Sequence, residues 1–146
     1  MSFLSITASE SLRAEWHSLR DDITPWIGER ATTLFAHAVC DAYDCLPLAL
    51  HFRRLLVDAG DDPDQPQVTE TEQLLIDWGR AIAERPHGLS AEFYESLEAS
   101  FVPERRRTLL AFAAQTVAAC VTVTVGRVPV DDDLLRYRRA GDGRTV

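Results

Sequence analysis

Side chains able to do chemistry gather in one stretch, Cys40-Asp-Ala-Tyr-Asp-Cys45-Leu-Pro-Leu-Ala-Leu-His51-Phe-Arg-Arg54. It holds two of the three cysteines and one of the four histidines. Cys45 stands just ahead of Pro47, a residue that ends one helix or opens the next. A thiol at a helix start meets exposed backbone N–H groups and the positive end of the helix dipole, which favour a thiolate nucleophile. The same position suits a small buried apolar residue, the usual fate of a free cysteine, and position alone leaves the two readings even. His51 shares a helical stripe with Leu48 and Leu55, within about two turns of Cys45. An imidazole there could act as a base toward the thiol or a bound substrate, or simply sit hydrogen-bonded at the core margin. Cys40 is too far round the preceding helix to make a Cys-x-x-Cys unit with Cys45, and a disulfide across the Pro47 break stays open. Cys120, inside an apolar run, reads as core.

Other chemistries find less support. All 15 basic residues are arginine, which removes Schiff-base and lysine-base mechanisms. The formal net charge of −8 repels phosphate backbones, so no nucleic-acid partner is expected. Arg105-Arg106-Arg107 is the one basic run, and three adjacent helical residues point in different directions. No metal is expected, because His-x-x-x-His, His-Glu-x-x-His and paired Cys-x-x-Cys spacings are absent. The acidic runs Asp61-Asp62-Asp64 and Asp131-Asp132-Asp133 lack the glycine and distal glutamate of a calcium loop. Glycine-rich phosphate loops are missing too, so no cofactor is expected. Three cysteines make no disulfide framework. No apolar run approaches the ~20 residues of a membrane span, and the N-terminus lacks signal-peptide features. A cytoplasmic protein with no membrane partner is the expectation.

The elements that must position these residues read as helices. Thr7-Ala-Ser-Glu10 predicts a capping box opening a helix to about Arg20 with Leu12, Trp16 and Leu19 on one stripe. Thr24-Pro25 predicts the cap and first residue of a second helix, 25–44. Pro47 starts a third, closed by Gly60. Asp61 to Gln67 is a loop, and Thr69-Glu-Thr-Glu72 predicts a second capping box. That helix ends at Pro86-His87-Gly88, and Ser90 caps a short one through Phe101. Pro103 opens the longest helix, apolar around most of its circumference and therefore expected to be the central, most buried element. Val121-Thr-Val-Thr-Val125 has strand propensity, but a lone strand has nothing to pair with, so the helix is expected to continue to Gly126. Asp131 to Asp133 open a last short helix, and Gly141 to Val146 read as a frayed tail. The expected fold class is all-α, a single domain over 1–146 with six to seven helices.

Three stretches carry a family pattern: Cys45-Leu-Pro-Leu-Ala-Leu-His-Phe-Arg-Arg54 with Asp58-Ala-Gly60; Val68-Thr-Glu-Thr-Glu-Gln-Leu-Leu75 leading to Trp78-Gly-Arg80 and Pro86-His87; and Phe93 through Phe101 and the long helix to Gly126-Arg-Val-Pro-Val-Asp131. From about 24 to 139 their order and spacing resemble the carboxymuconolactone decarboxylase superfamily, in particular its AhpD-like (alkylhydroperoxidase D-like) members. The resemblance implies an all-helical domain that assembles as homo-oligomers through helical faces. In redox-active members it implies a Cys-x-x-Cys-x-x-x-His motif that reduces hydroperoxides. With Cys45 as the first cysteine, the second position falls on Leu48 and the histidine on Phe52. His51 is one residue out of register, ~100° round a helix.

The expected function is a cofactor-independent small-molecule enzyme of lyase or isomerase type, with Cys45 and His51 at a helical pocket. One alternative is a thiol-dependent hydroperoxide reductase using Cys45, resolved by Cys40, Cys120 or an external thiol. Another is a non-catalytic helical binding or assembly module. The expected partners are a small-molecule ligand or substrate and further copies of the chain.

Overall fold

The computed structural model describes residues 10–139. Among them there is no strand; the fold is all-α, with six α-helices and one 3-10 helix. The α-helices are α1 (Glu10–Ile27), α2 (Glu29–Tyr43), α3 (Leu46–Asp58), α4 (Glu70–Glu84), α5 (Ala91–Ser100) and α6 (Pro103–Val125). The 3-10 helix, Asp132–Tyr137, follows α6. Thr7 of the expected first capping box and the expected tail from Gly141 lie outside the described residues.

Most boundaries follow local signals. At α4 the capping box is complete, with the Glu72 N–H donating to Thr69 Oγ1 at 3.1 Å and the Thr69 N–H to Glu72 Oε1 at 2.9 Å. Ser90 Oγ accepts from the Phe93 N–H at 3.1 Å and starts α5. Gly60, at φ 91, closes α3 with the Asp61 N–H on the Leu56 carbonyl and its own N–H on that of Val57, a Schellman motif. Val121 to Val125 are helical as expected. The chain leaves α6 with Arg127, not Gly126, in the left-handed region, at φ 52.

Three expectations are corrected. Thr24-Pro25 does not open α2; both residues belong to the last turn of α1. The Thr24 hydroxyl donates to the Arg20 carbonyl at 2.6 Å, so it caps nothing ahead of it. The break comes at Gly28, whose φ of 90 suits only glycine, and Gly28 is the N-cap of α2. Nor is α6 the central helix. That place belongs to α2, which is buried continuously from Leu34 to Cys40 and packs on α4 most extensively, then α3, α6 and α1. Gly79 lets α4 come close, since a Cβ there would meet the Phe35 carbonyl oxygen at 3.1 Å and the Ala38 Cβ at 3.2 Å. By length and composition α6 could cross a membrane, contrary to the sequence expectation of no such run. In the structure one face of it is core, with Leu109, Phe112, Ala113, Thr116, Ala119, Cys120 and Val123 buried. Leu110, Val121 and Val125 on the other face are exposed.

An aromatic cluster fills the centre. Phe112 lies 5.2 Å from Trp16 and 6.0 Å from Phe35 between ring centroids, and Phe35 stacks on Trp78 at 5.8 Å. The buried Trp16 Nε1 donates to Thr116 Oγ1 at 2.9 Å, which removes the penalty of a bare indole N–H. A smaller cluster of Leu50, Leu134 and Tyr137 seats the 3-10 helix against α3. Arg30 joins the start of α2 to the following loops, reaching both Asp61 oxygens at 3.1 Å, Glu72 Oε1 at 2.6 Å and the Gln67 carbonyl at 2.7 Å. In the basic run, Arg105 lies over the Trp26 ring at 5.0 Å and Arg106 donates to the Phe101 carbonyl. Arg105 and Arg106 therefore turn to different partners.

Candidate functional site

Between the end of α2 and the start of α3 the chain turns through Asp44, at φ 69, a conformation aspartate tolerates better than most residues. The Cys45 N–H closes the turn on the Cys40 carbonyl at 3.0 Å, and Cys45 becomes the N-cap of α3. The expected helix start is therefore present. A small cavity of about 60 Å³ opens at this corner, lined by Cys40, Asp41, Asp44, Cys45, Leu46, Ala49, Leu50, Arg53 and Arg139.

His51 does not line that cavity. Six residues beyond Cys45, it stands ~120° round α3 and ~9 Å along it, with its ring 5.1 Å from that of Phe52. Burial, and after it the charges of Arg54 and Arg20, lower its pKa to about 4. Leu48 and Phe52, on which the second thiol and the histidine of a Cys-x-x-Cys-x-x-x-His motif starting at Cys45 would fall, are both buried in the core, at 2% and 3% exposure.

What the fold brings to Cys45 is the other two thiols. Cys120, from the middle of α6, places its Sγ 3.6 Å from that of Cys40, with Cys120 as the donor. All three cysteines are free and buried. Contact with Cys120 and then burial push the Cys45 thiol pKa up, outweighing the Leu48 N–H and the Thr124 hydroxyl, which favour the thiolate. Burial raises Cys40, and contact with Cys40 raises Cys120. The cluster therefore rests as neutral thiols. Among the described residues, no group of three or more His, Cys, Asp or Glu side chains is arranged to hold a metal ion.

The polar wall of the cavity consists of residues whose role sequence reasoning missed. Arg53 is 5% exposed and fully engaged. Its Nε donates to the Tyr137 carbonyl at 2.7 Å, and its two terminal nitrogens grip Asp64 at 2.8 and 3.0 Å, a bidentate pair. The Arg53 hydrogen bond holds the Asp64 carboxyl below its ordinary range. Asp41 accepts from Arg80 at 3.3 Å and from Arg139. Behind it, buried His37 has an Nε2 without a hydrogen-bond partner. Burial lowers its pKa to about 4; Asp41 opposes the shift, and Arg53, Arg80 and Arg139 add to it. Local sequence signals could have placed Asp41 and His37 one turn apart on α2. None pointed to Arg139, some 98 positions from Asp41.

Fold and site together define an all-α protein with a cavity lined by thiols and guanidinium groups. Set against protein-family models, curated proteins and solved structures, the chain matches none of them.

Proposed function

We propose that the chain is an AhpD-like helical protein that reduces small hydroperoxides at Cys45 without metal or organic cofactor. The observation carrying this reading is that Cys40 and Cys45 line one cavity, with the Cys120 thiol packed beside Cys40 outside its lining. In the reaction the Cys45 sulfur attacks the distal peroxide oxygen and the O–O bond breaks. The thiol proton goes to the departing alkoxide, leaving a sulfenic acid and an alcohol. Size also favours this chemistry. A cavity of about 60 Å³ takes only a few heavy atoms, whereas pockets for larger ligands run to roughly 300–1,000 Å³. A reducing compartment such as the cytoplasm would keep the thiols free between turnovers. The test is consumption of hydrogen peroxide with an external thiol donor. Sustained consumption in the native chain, lost in Cys45→Ser, supports the reading; no consumption by the native chain removes it.

A lyase or isomerase reading is favoured by one feature, the Asp41 carboxylate on the same cavity wall as Cys45. It assigns acid–base roles to those two groups, with His51 acting only from outside the wall. Turnover of a small carboxylate or lactone that is lost in Asp41→Asn supports it, and turnover indifferent to Asp41 removes it.

Assembly into homo-oligomers belongs to the same proposal. Leu110, Ala114, Val117, Val121 and Val125 recur on one face of α6 at helical spacing, with Leu110, Val121 and Val125 exposed at 46%, 41% and 75%. No charged residue lies between Arg107 and Arg127, so this face suits a second copy of itself. Val121→Glu should shift the native assembly to monomer in sedimentation velocity; a native chain already monomeric refutes the assignment.

A further inference from the structure

The hydroperoxide reading leaves two buried thiols without a role, Cys40 on α2 and Cys120 on α6. Each is fully buried, and their sulfurs are 3.6 Å apart, about 1.5 Å from the ~2.05 Å of a disulfide. Cys120 and Cys45 also act on each other's titration, so one thiol neighbours both of the others. Cys40 and Cys45 line the cavity and Cys120 does not.

We propose that oxidation entering at Cys45 ends as a Cys40–Cys120 disulfide, a buried dithiol site joining α2 to α6. The proposal rests on the reading that Cys45 reacts with hydroperoxide. Cys120 attacks the Cys45 sulfenic sulfur, forming a Cys45–Cys120 disulfide and releasing water. Cys40 then attacks the Cys120 sulfur and returns Cys45 as a thiol, its own proton passing to the leaving sulfur. In sum, one hydroperoxide and two thiols give one disulfide, one alcohol and one water. The pair is not the family's motif, whose second thiol position is Leu48; it links two helices across 80 residues of chain. The final disulfide is shielded from solvent and leaves Cys45 free at the cavity.

The test treats the full chain with hydrogen peroxide in the absence of any other thiol. Remaining thiols are then alkylated under denaturing conditions and the cross-linked peptides mapped by mass spectrometry. One equivalent of peroxide per chain should be consumed, two hydrogen masses lost, Cys45 left alkylatable, and Cys40 joined to Cys120. Cys120→Ser should instead accumulate a Cys45 sulfenic acid trapped by dimedone. A persistent Cys45 sulfenic acid in the native chain, without a cross-link, overturns the relay and leaves the hydroperoxide reading standing. A chain whose Cys45 is never oxidised overturns that reading, and the relay with it. Diamide, which oxidises thiol pairs directly, probes the pair itself in the native chain and in Cys45→Ser. A Cys40–Cys120 cross-link in both supports the site, and its absence from both overturns it even if Cys120→Ser does not fold.

Discussion

Acidification should destabilise this protein well before its carboxylates protonate, and His37 should be a main cause. The folded-state pKa is about 4 against an ordinary 6.5, so between those values the unfolded chain binds the proton and the folded chain does not. Stability from this group is fully present above about pH 6.5 and lost as pH falls toward 4. Integrating the linkage from pH 7 to pH 5 gives a loss of about 2 kcal/mol, and the whole interval about 3 kcal/mol. His51, also lowered to about 4, contributes a similar loss over the same window. Together they give about 4 kcal/mol at pH 5, a large fraction of the ~5–15 kcal/mol of an ordinary domain. The environment explains why His37 resists protonation. Its Nε2 faces no acceptor, and of the charges acting on it only Asp41 favours the cation, while Arg53, Arg80 and Arg139 oppose it.

The assay is urea unfolding at a series of pH values between about 7 and 5, at constant ionic strength, in the native chain and in His37→Gln. Asp64 and Glu72, both held below their ordinary range, keep their stabilisation until pH falls below about 4, so they do not enter this interval. The native unfolding free energy should drop by about 4 kcal/mol between pH 7 and pH 5, and that of His37→Gln by about half as much. A native chain equally stable at both ends refutes the reasoning, as does a His37→Gln variant that loses stability as steeply as the native one. An NMR titration of the folded chain adds a direct check, with the His37 imidazole remaining neutral at pH 5.

Three further outcomes are expected. Gly79→Val should destabilise by about 2 kcal/mol, because its side chain enters the gap of 3.1 to 3.2 Å between α4 and α2; a melting temperature equal to the native one would contradict that close approach. Arg127→Gly should stabilise by up to about 1 kcal/mol, raising Tm by about 3 °C, by removing a non-glycine residue at φ 52. A lowered Tm there would mean that the Arg127 side chain is worth more than its backbone strain. The rate of Cys45 oxidation by hydrogen peroxide should climb with pH throughout the range from about 7 to 9, since its thiol pKa is raised above the ordinary value. A rate plateau below pH 8 in stopped-flow measurements would refute the neutral thiol.

The parts of the fold written in local chemistry were legible in the sequence. Thr69 with Glu72, Ser90, Pro103 and Gly60 each act within a few residues, so their spacing alone places α4, α5, α6 and the end of α3. Thr24 misled because its hydroxyl has two possible partners, the N–H groups ahead and the carbonyl a turn behind, and tertiary context chose the second. The rank of α2 over α6 was hidden for a different reason. An all-round apolar helix is expected in a core, but an outer apolar face has the same composition, and only packing shows that Leu110, Val121 and Val125 are uncovered. The site was half legible. Cys45 at a helix start was visible, while Cys120 and Arg139 reach it through contacts spanning most of the chain.

Those long-range contacts also reverse the argument from the helix start. A helix N-terminus stabilises an adjacent anion by about 0.3–1 kcal/mol, up to ~2 when partly buried, whereas burial can shift an ionisable group by several pKa units. At Cys45 the dipole loses, and contact with Cys120 and burial keep the thiol neutral. Whatever reactivity the cluster has in its second step must then come from proximity. Well-oriented intramolecular attack reaches effective molarities of ~10⁵–10⁸ M, which works against the scarcity of thiolate that these raised pKa values impose. The first oxidation, which depends on a diffusing hydroperoxide, has no such advantage. It should limit the rate, and the sulfenic acid should be captured by Cys120 as fast as it forms. In the native chain a dimedone adduct at Cys45 should therefore stay scarce while peroxide is consumed, and it should accumulate only when Cys120 is replaced.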